Sequence, residues 1–280
     1  MSKEDKTLKP KTKTNTRTED DGHSHFYRLV PNILTLSALA AGLSSIQFAI
    51  DGRWEAAVIA IVTAGILDVL DGASARLLNA TSEFGAQLDS LSDFLAFGIA
   101  PSIVLYLWIL EESGKIGWIA MLVFAVATAM RLARFNITST KPKKWAKGFF
   151  EGTPAPAGAG TALLPLFIWL NDPEYFGQFS HLNIIVGIWV LFCAALMVSR
   201  IPTWSSKQIH IPKKMTMPAL GIVVLIIAAL IQAPWISLSI ISLTYLTTIP
   251  FSIRHYKKLA KEHEEQIDLA DLALGISEED

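Results

Sequence analysis

Eight apolar blocks, each about as long as a bilayer crossing, divide this 280-residue chain at about 31–50, 54–78, 88–110, 116–135, 155–171, 183–200, 217–232 and 234–253. A hydrocarbon core takes roughly 17–25 helical residues to cross. Inside lipid an open chain must satisfy its own backbone hydrogen bonds, which for single apolar segments means helices. The expected fold is therefore all-α, a polytopic membrane bundle of about eight transmembrane helices. Trp54, Trp108, Trp118 and Trp235 sit near block ends, where indole rings anchor at the membrane interface.

The distribution of charge orients the bundle. With the amino terminus in the cytoplasm, eight crossings put 22 of the 24 Lys and Arg residues on the cytoplasmic side and leave only Arg53 and Lys115 opposite. That is a positive-inside pattern, and it predicts both termini in the cytoplasm. Residues 1–27 are polar and basic with no apolar run, so a disordered cytoplasmic arm is expected there rather than a signal peptide. Residues 28–254 form the membrane domain and 255–280 a charged cytoplasmic tail. The single cysteine, Cys193, lies in an apolar block and excludes an intrachain disulfide. The six histidines are scattered without metal-ligand spacing.

The second and third blocks meet at a run that lipid does not favour. From Asp68 to Asp93 the sequence reads D-x2-D-G-x2-A-R-x8-G-x3-D-x3-D, carried by Asp68, Asp71, Gly72, Ala75, Arg76, Gly85, Asp89 and Asp93. An acid in mid-membrane costs roughly 2.5–3.5 kcal/mol on insertion scales, so such residues mark function. Helical spacing puts Asp68 and Asp71 side by side and aligns Gly85, Asp89 and Asp93 on a second face. Asn79, Ser82 and Gly85 suggest a break between the two helices. Packed together, the two rows gather four carboxylates with small residues between them. Hard oxygen ligands of this kind suit Mg2+ or Mn2+, and several carboxylates with open positions suit a two-metal site holding phosphates. Arg76 adds a forked cation for a phosphate oxygen.

This spacing resembles the signature of the CDP-alcohol phosphotransferase family at all eight positions. The resemblance implies an integral-membrane enzyme that moves a phosphatidyl group from a CDP-linked lipid to an alcohol and releases CMP. It implies that Asp68, Asp71 and Asp89 hold two divalent metal ions. Asp93 would also touch a metal and would serve as the base for the acceptor hydroxyl. It further implies that Gly72 and Ala75 let the nucleotide approach and that Arg76 contacts phosphate. Gly85 and the Asn32 and Thr35 of Pro31-Asn32-Ile33-Leu34-Thr35 would lie beside the CDP-lipid.

Three further stretches are similar to the serine-accepting branch of that family: Arg131-Leu132-Ala133-Arg134-Phe135-Asn136, Gly152-Thr153-Pro154-Ala155-Pro156, and Ser199-Arg200-Ile201-Pro202-Thr203-Trp204-Ser205-Ser206-Lys207. They make L-serine the expected acceptor and CDP-diacylglycerol the expected donor. Arg131, Arg134, Asn136 and Lys207 are the candidate serine contacts, since a desolvated carboxylate calls for a guanidinium. Thr153 stands where many branch members carry Leu. The resemblance also implies a homodimer in a prokaryotic-type cytoplasmic membrane, with the site facing the cytoplasm, membrane lipids around it and no nucleic acid partner. Glycerol phosphate, inositol phosphate and choline remain rival acceptors. A UbiA-type prenyltransferase would need two Asp-rich motifs far apart, and a cation carrier would need acids inside several helices; spans four to eight have none in their interiors.

Overall fold

A computed structural model describes residues 21–138, 148–176, 179–204 and 215–274. Lys207, the loop lysines Lys141, Lys143, Lys144 and Lys147, and most of the expected amino-terminal arm lie outside the described residues. Among the described residues the chain is all-α apart from one short pair of strands. Helix α1 is Asp21–Ile50, α2 Trp54–Leu77, α3 Glu83–Phe94, α4 Ala100–Trp108 and α5 Lys115–Thr138. After them come α6 Ala155–Ala162, α7 Leu164–Asn171, α8 Pro173–Phe176, α9 Leu182–Val198, α10 Thr216–Gln232 and α11 Pro234–Leu274. Strands β1 (Phe149–Glu151) and β2 (Pro202–Trp204) pair antiparallel.

Among the described residues five helical stretches are long and apolar enough to cross a membrane: Leu29–Ile50, Trp54–Leu77, Glu83–Trp108, Lys115–Ile137 and Pro234–His263. Helices α9 and α10 are apolar but shorter, at 17 residues each. Block 155–171, expected as one crossing, is two eight-residue helices that break at Leu163. Pro165 is the physical cause. It has no N–H to give Thr161 and its ring crowds that carbonyl. The Trp189 indole N–H donates to the Thr161 carbonyl instead, at 2.8 Å. In an apolar interior such a substitute partner is what allows a helix to be interrupted.

The bundle interior is lined with small side chains, among them Ala57, Ala64, Ala96, Ala100, Ala155, Ala159 and Ala162, around Phe124, Leu105 and Leu166. Small residues let helix backbones approach closely, the main source of helix association where lipid is as apolar as the protein. Gly42 is one such point, since a Cβ there would stand 2.8 Å from Leu95 Cδ2. The outer surface is the reverse, with large side chains such as Ile66, Val69, Leu91 and Val224 exposed. At the end of α4, Tyr106 meets Trp118 edge-on at 5.4 Å and Trp108 lies 5.7 Å from Trp169. Two of the four expected interface tryptophans, Trp108 and Trp118, thus each pack against another aromatic ring.

Between α3 and α4 the backbone takes one π turn, Leu95–Ile99. π turns concentrate at functional sites because they re-aim the helix that follows. Here the turn begins two residues after Asp93. Ser102 Oγ donates to the Gly98 carbonyl within it. Gly98 also allows α5 close, since a Cβ there would meet Thr128 at 3.1 Å.

Candidate active site

Asp68 and Asp71 lie in the carboxy-terminal part of α2, and Asp89 and Asp93 occupy α3. The break between the two helices is residues 78–82, within the stretch where the sequence suggests one. Ser82 sets the start of α3: it caps the helix by accepting a hydrogen bond from the Gly85 backbone N–H at 3.0 Å. The expected third block, 88–110, therefore begins five residues earlier, at Glu83. This extra turn carries Gly85 onto the same helix as the two acids.

The helices bring oxygen atoms of Asp68, Asp71 and Asp89 within 4.8 Å of one another. The Asp68 carboxyl is also within hydrogen-bond reach of Asp93. Asp71 is buried, and Thr35 Oγ1 of α1 donates to its Oδ2 at 2.5 Å. Thr35 is held in turn from both neighbours, with its hydroxyl 3.0 Å from the Pro31 carbonyl and its own carbonyl accepting from Ser92 Oγ at 3.1 Å. One residue of α1 thus ties α2 to α3 at the acids. Carboxylates packed this closely repel one another unless a cation intervenes. An all-oxygen donor set fits a hard divalent ion such as Mg2+ or Mn2+.

Beside the acids lies a cleft of about 150 Å3. Asn32, Thr35, Asp71, Gly72, Ala75, Gly85 and Asp89 line it, so seven of the sequence-derived candidates face one space. Gly72 is open toward it, since an added Cβ would find only Arg76 Nη1, at 3.8 Å. Gly85 is tighter, with Asn32 Oδ1 and Ser82 Oγ both 3.1 Å from such a Cβ. Arg76 is exposed at the end of α2 and does not line the cleft. Ala80, Thr81, Ser82 and Ala86 line it as well. From the sequence Ser82 reads only as a helix breaker, although a serine three residues before Gly85 is also a capping signal. A larger groove of about 340 Å3 between α5 and α9 is lined by side chains such as Leu122, Val126 and Leu191. It has no side chain able to bond a phosphate, so the smaller, acid-lined cleft is the candidate site.

The four candidate acceptor contacts fall in different places. Arg131 neighbours Asp93 and is largely enclosed by the bundle. Arg134 turns to another element: its Nη1 donates to the Val198 carbonyl at 2.7 Å and the Ser199 carbonyl at 3.4 Å. It therefore caps the carboxyl end of α9, where unpaired carbonyls and the helix dipole favour a cation. Asn136 Nδ2 donates to Ser90 Oγ at 3.0 Å, joining α5 to α3. Lys207 lies outside the described residues.

The second and third serine-branch stretches meet as β1 and β2. Phe149 pairs with Trp204, Phe150 with Thr203 and Glu151 with Pro202. The Gly152 N–H donates to the Ile201 carbonyl at 2.8 Å, and Thr203 Oγ1 donates to the Gly152 carbonyl at 2.7 Å. Gly152 has φ +77°, and a Cβ on it would stand 2.8 Å from the carbonyl oxygens of Met197 and Ser199. Only glycine fits such a place. The cap carries Thr153 and Thr203 into the interior, where both are buried.

The family model for CDP-alcohol phosphatidyltransferases matches residues 28–199, and that of a second group, CDP-alcohol phosphatidyltransferase 2, matches residues 214–250. A protein of Mycobacterium leprae named CDP-diacylglycerol–serine O-phosphatidyltransferase is 36% identical over 240 residues, 85% of this chain and 78% of that protein. Its namesake in Mycobacterium tuberculosis strain H37Rv is 35% identical over 240 residues, 85% of this chain and 82% of its own. A third, of Helicobacter pylori strain J99, is 38% identical over 173 residues, covering 62% and 70% of the two chains.

Proposed function

The chain belongs to the CDP-alcohol phosphatidyltransferase family, and we propose that it is a phosphatidylserine synthase: it transfers the phosphatidyl group of CDP-diacylglycerol to the hydroxyl of L-serine and releases CMP. The observation that carries the reading is the convergence of Asp68, Asp71 and Asp89 on one point beside a cleft lined by Asn32, Thr35, Gly72, Ala75 and Gly85. The shared name of the relatives supports serine as the acceptor.

In this reading Asp68, Asp71, Asp89 and Asp93 would hold two divalent ions, Mg2+ or Mn2+. Ions bound there would supply positive charge to offset that of the diphosphate and of the departing nucleotide. The nucleotide lies in the cleft, where the absence of side chains at Gly72 and Gly85 lets it approach the backbone. Arg76, at the mouth, contacts a phosphate oxygen. Asp93 takes the proton of the serine hydroxyl. The serine oxygen then forms a bond to the lipid-side phosphorus, and the bond from that phosphorus to the bridging oxygen breaks with its electrons going to CMP. Arg131 orients the acceptor beside Asp93. Thr35 fixes the rotamer of Asp71.

The acyl chains stay in the bilayer and enter between helices. In this reading the cleft faces the cytoplasm across a prokaryotic-type inner membrane, where water-soluble serine and the CTP-derived donor meet; the bias of Lys and Arg toward that side supports it. The protein works as a homodimer, carried over from the family. Purified protein in detergent, given CDP-diacylglycerol and Mg2+ or Mn2+, should release CMP in response to L-serine. It should not respond comparably to glycerol phosphate, inositol phosphate or choline. A preference for one of those three would replace serine in this account.

A further inference from the structure

Tyr245, Thr153, Thr203 and Arg131 form a second polar cluster, joined to the acids through Arg131. Tyr245 belongs to the long carboxy-terminal helix α11. Ser242, Tyr245, Ile249 and Ser252 follow one another by three and four residues and so share a helix face. Ser242, Ile249 and Ser252 are buried, and Ser242 Oγ donates to the Gly160 carbonyl at 3.1 Å. That face is therefore turned into the bundle, and Tyr245 with it. Its hydroxyl oxygen is buried, with no hydrogen-bond partner among the described residues. The side chains of Thr153 and Thr203 are near it, neither within hydrogen-bonding geometry, and the Arg131 guanidinium is a further neighbour.

A buried hydroxyl without a partner is unfavourable, and phenylalanine would fill the same space without that cost. Thr203 has committed its proton to the Gly152 carbonyl. The Tyr245 O–H thus remains as a donor, next to a guanidinium that itself neighbours Asp93. A cation and a neutral donor within electrostatic reach of each other match a carboxylate.

We propose that Tyr245 is a specificity-determining residue of the acceptor subsite: with Arg131 it donates to the carboxylate of an amino-acid alcohol whose hydroxyl reaches Asp93. This rests on the reading of the chain as a serine-accepting transferase and adds to it. The β1–β2 pair acquires a purpose in the same step, since it brings Thr153 and Thr203 close to the tyrosine hydroxyl. Discrimination between alcohols then depends on α11 and the cap as well as on the acids of α2 and α3.

The test compares L-serine with L-serinamide, which keeps the hydroxyl and amine but has no carboxylate, using the full-length protein in detergent with CDP-diacylglycerol and Mg2+. For Tyr245→Phe the KM for L-serine should rise about 10- to 100-fold, the worth of one hydrogen bond to a charged group. The KM for CDP-diacylglycerol should stay within about twofold, and the preference for serine over serinamide should fall by the same factor as serine affinity. An unchanged serine KM in a serine-dependent enzyme overturns the inference and leaves the reaction assignment standing. An equal loss toward both acceptors also overturns it. Wild-type protein without serine-stimulated CMP release overturns the reaction assignment itself. Should Tyr245→Phe not fold, the wild type decides: serinamide must be at least about tenfold worse than serine, and equal use overturns the proposal.

Discussion

Thr35 Oγ1 stands 2.5 Å from Asp71 Oδ2, so a hydroxyl of the first helix holds a carboxylate of the second inside the candidate metal cluster. Both residues are buried, and the Thr35 carbonyl accepts from Ser92 of the third helix. Thr35→Val keeps the shape and removes the donor. A hydrogen bond to a charged group contributes about 1.5–3 kcal/mol, so CMP release should fall roughly 10- to 100-fold. Thr35→Ser should stay close to wild type. Steady-state rates at saturating Mg2+ distinguish the two.

Two glycines should respond to alanine in opposite ways. Gly72→Ala meets nothing closer than Arg76 Nη1 at 3.8 Å, and alanine is the better helix residue by about 0.5–1 kcal/mol. Its melting temperature should hold or rise while the KM for CDP-diacylglycerol climbs, because the new methyl group occupies the cleft. Gly152→Ala combines a φ of +77° with carbonyl oxygens at 2.8 Å. It should lose about 2–4 kcal/mol of stability. Thermal melting in detergent, read beside donor KM, checks both.

The two arginines of the fifth helix should separate by phenotype. Arg134 bonds the carbonyls of Val198 and Ser199, so Arg134→Met should lower stability by about 0.5–2 kcal/mol with the serine KM within about twofold of wild type. Arg131 neighbours Asp93, and Arg131→Lys should raise the serine KM with little change in melting temperature. A serine KM raised more by Arg134→Met than by Arg131→Lys would exchange their roles.

Trp189 offers a test of the broken helix. Trp189→Phe removes the indole N–H that serves the Thr161 carbonyl at 2.8 Å. The loss should be about 0.5–1.5 kcal/mol, read as a lower melting temperature with donor and acceptor KM unchanged.

The acid cluster was legible because it is local and periodic. Asp68 and Asp71, and then Gly85, Asp89 and Asp93, are three or four residues apart, and helical geometry alone aligns them. Thr35 and Asn32 came with the family resemblance rather than from any periodicity. The break at Leu163 was signalled by Pro165, but the surrounding apolar residues made one crossing the natural reading. The β1–β2 pairing was not legible at all. Its strands are three residues long, about fifty residues apart, and show no alternation that would mark them. Tyr245 was equally silent, since one tyrosine among apolar residues carries no signal until the fold buries its hydroxyl. Arg134 shows the same limit from the other direction, because spacing could not tell a substrate contact from a helix cap.

The central claim is that the four acids of α2 and α3 form a divalent-metal site for phosphatidyl transfer to serine. The most direct measurement is CMP release from CDP-diacylglycerol by purified wild-type and Asp68→Asn protein, with and without L-serine, before and after chelation of divalent ions. Wild-type release should depend on serine, stop on chelation and return with Mg2+ or Mn2+, while Asp68→Asn should fall by at least about a thousandfold. Serine-dependent release that survives either chelation or Asp68→Asn would contradict the account.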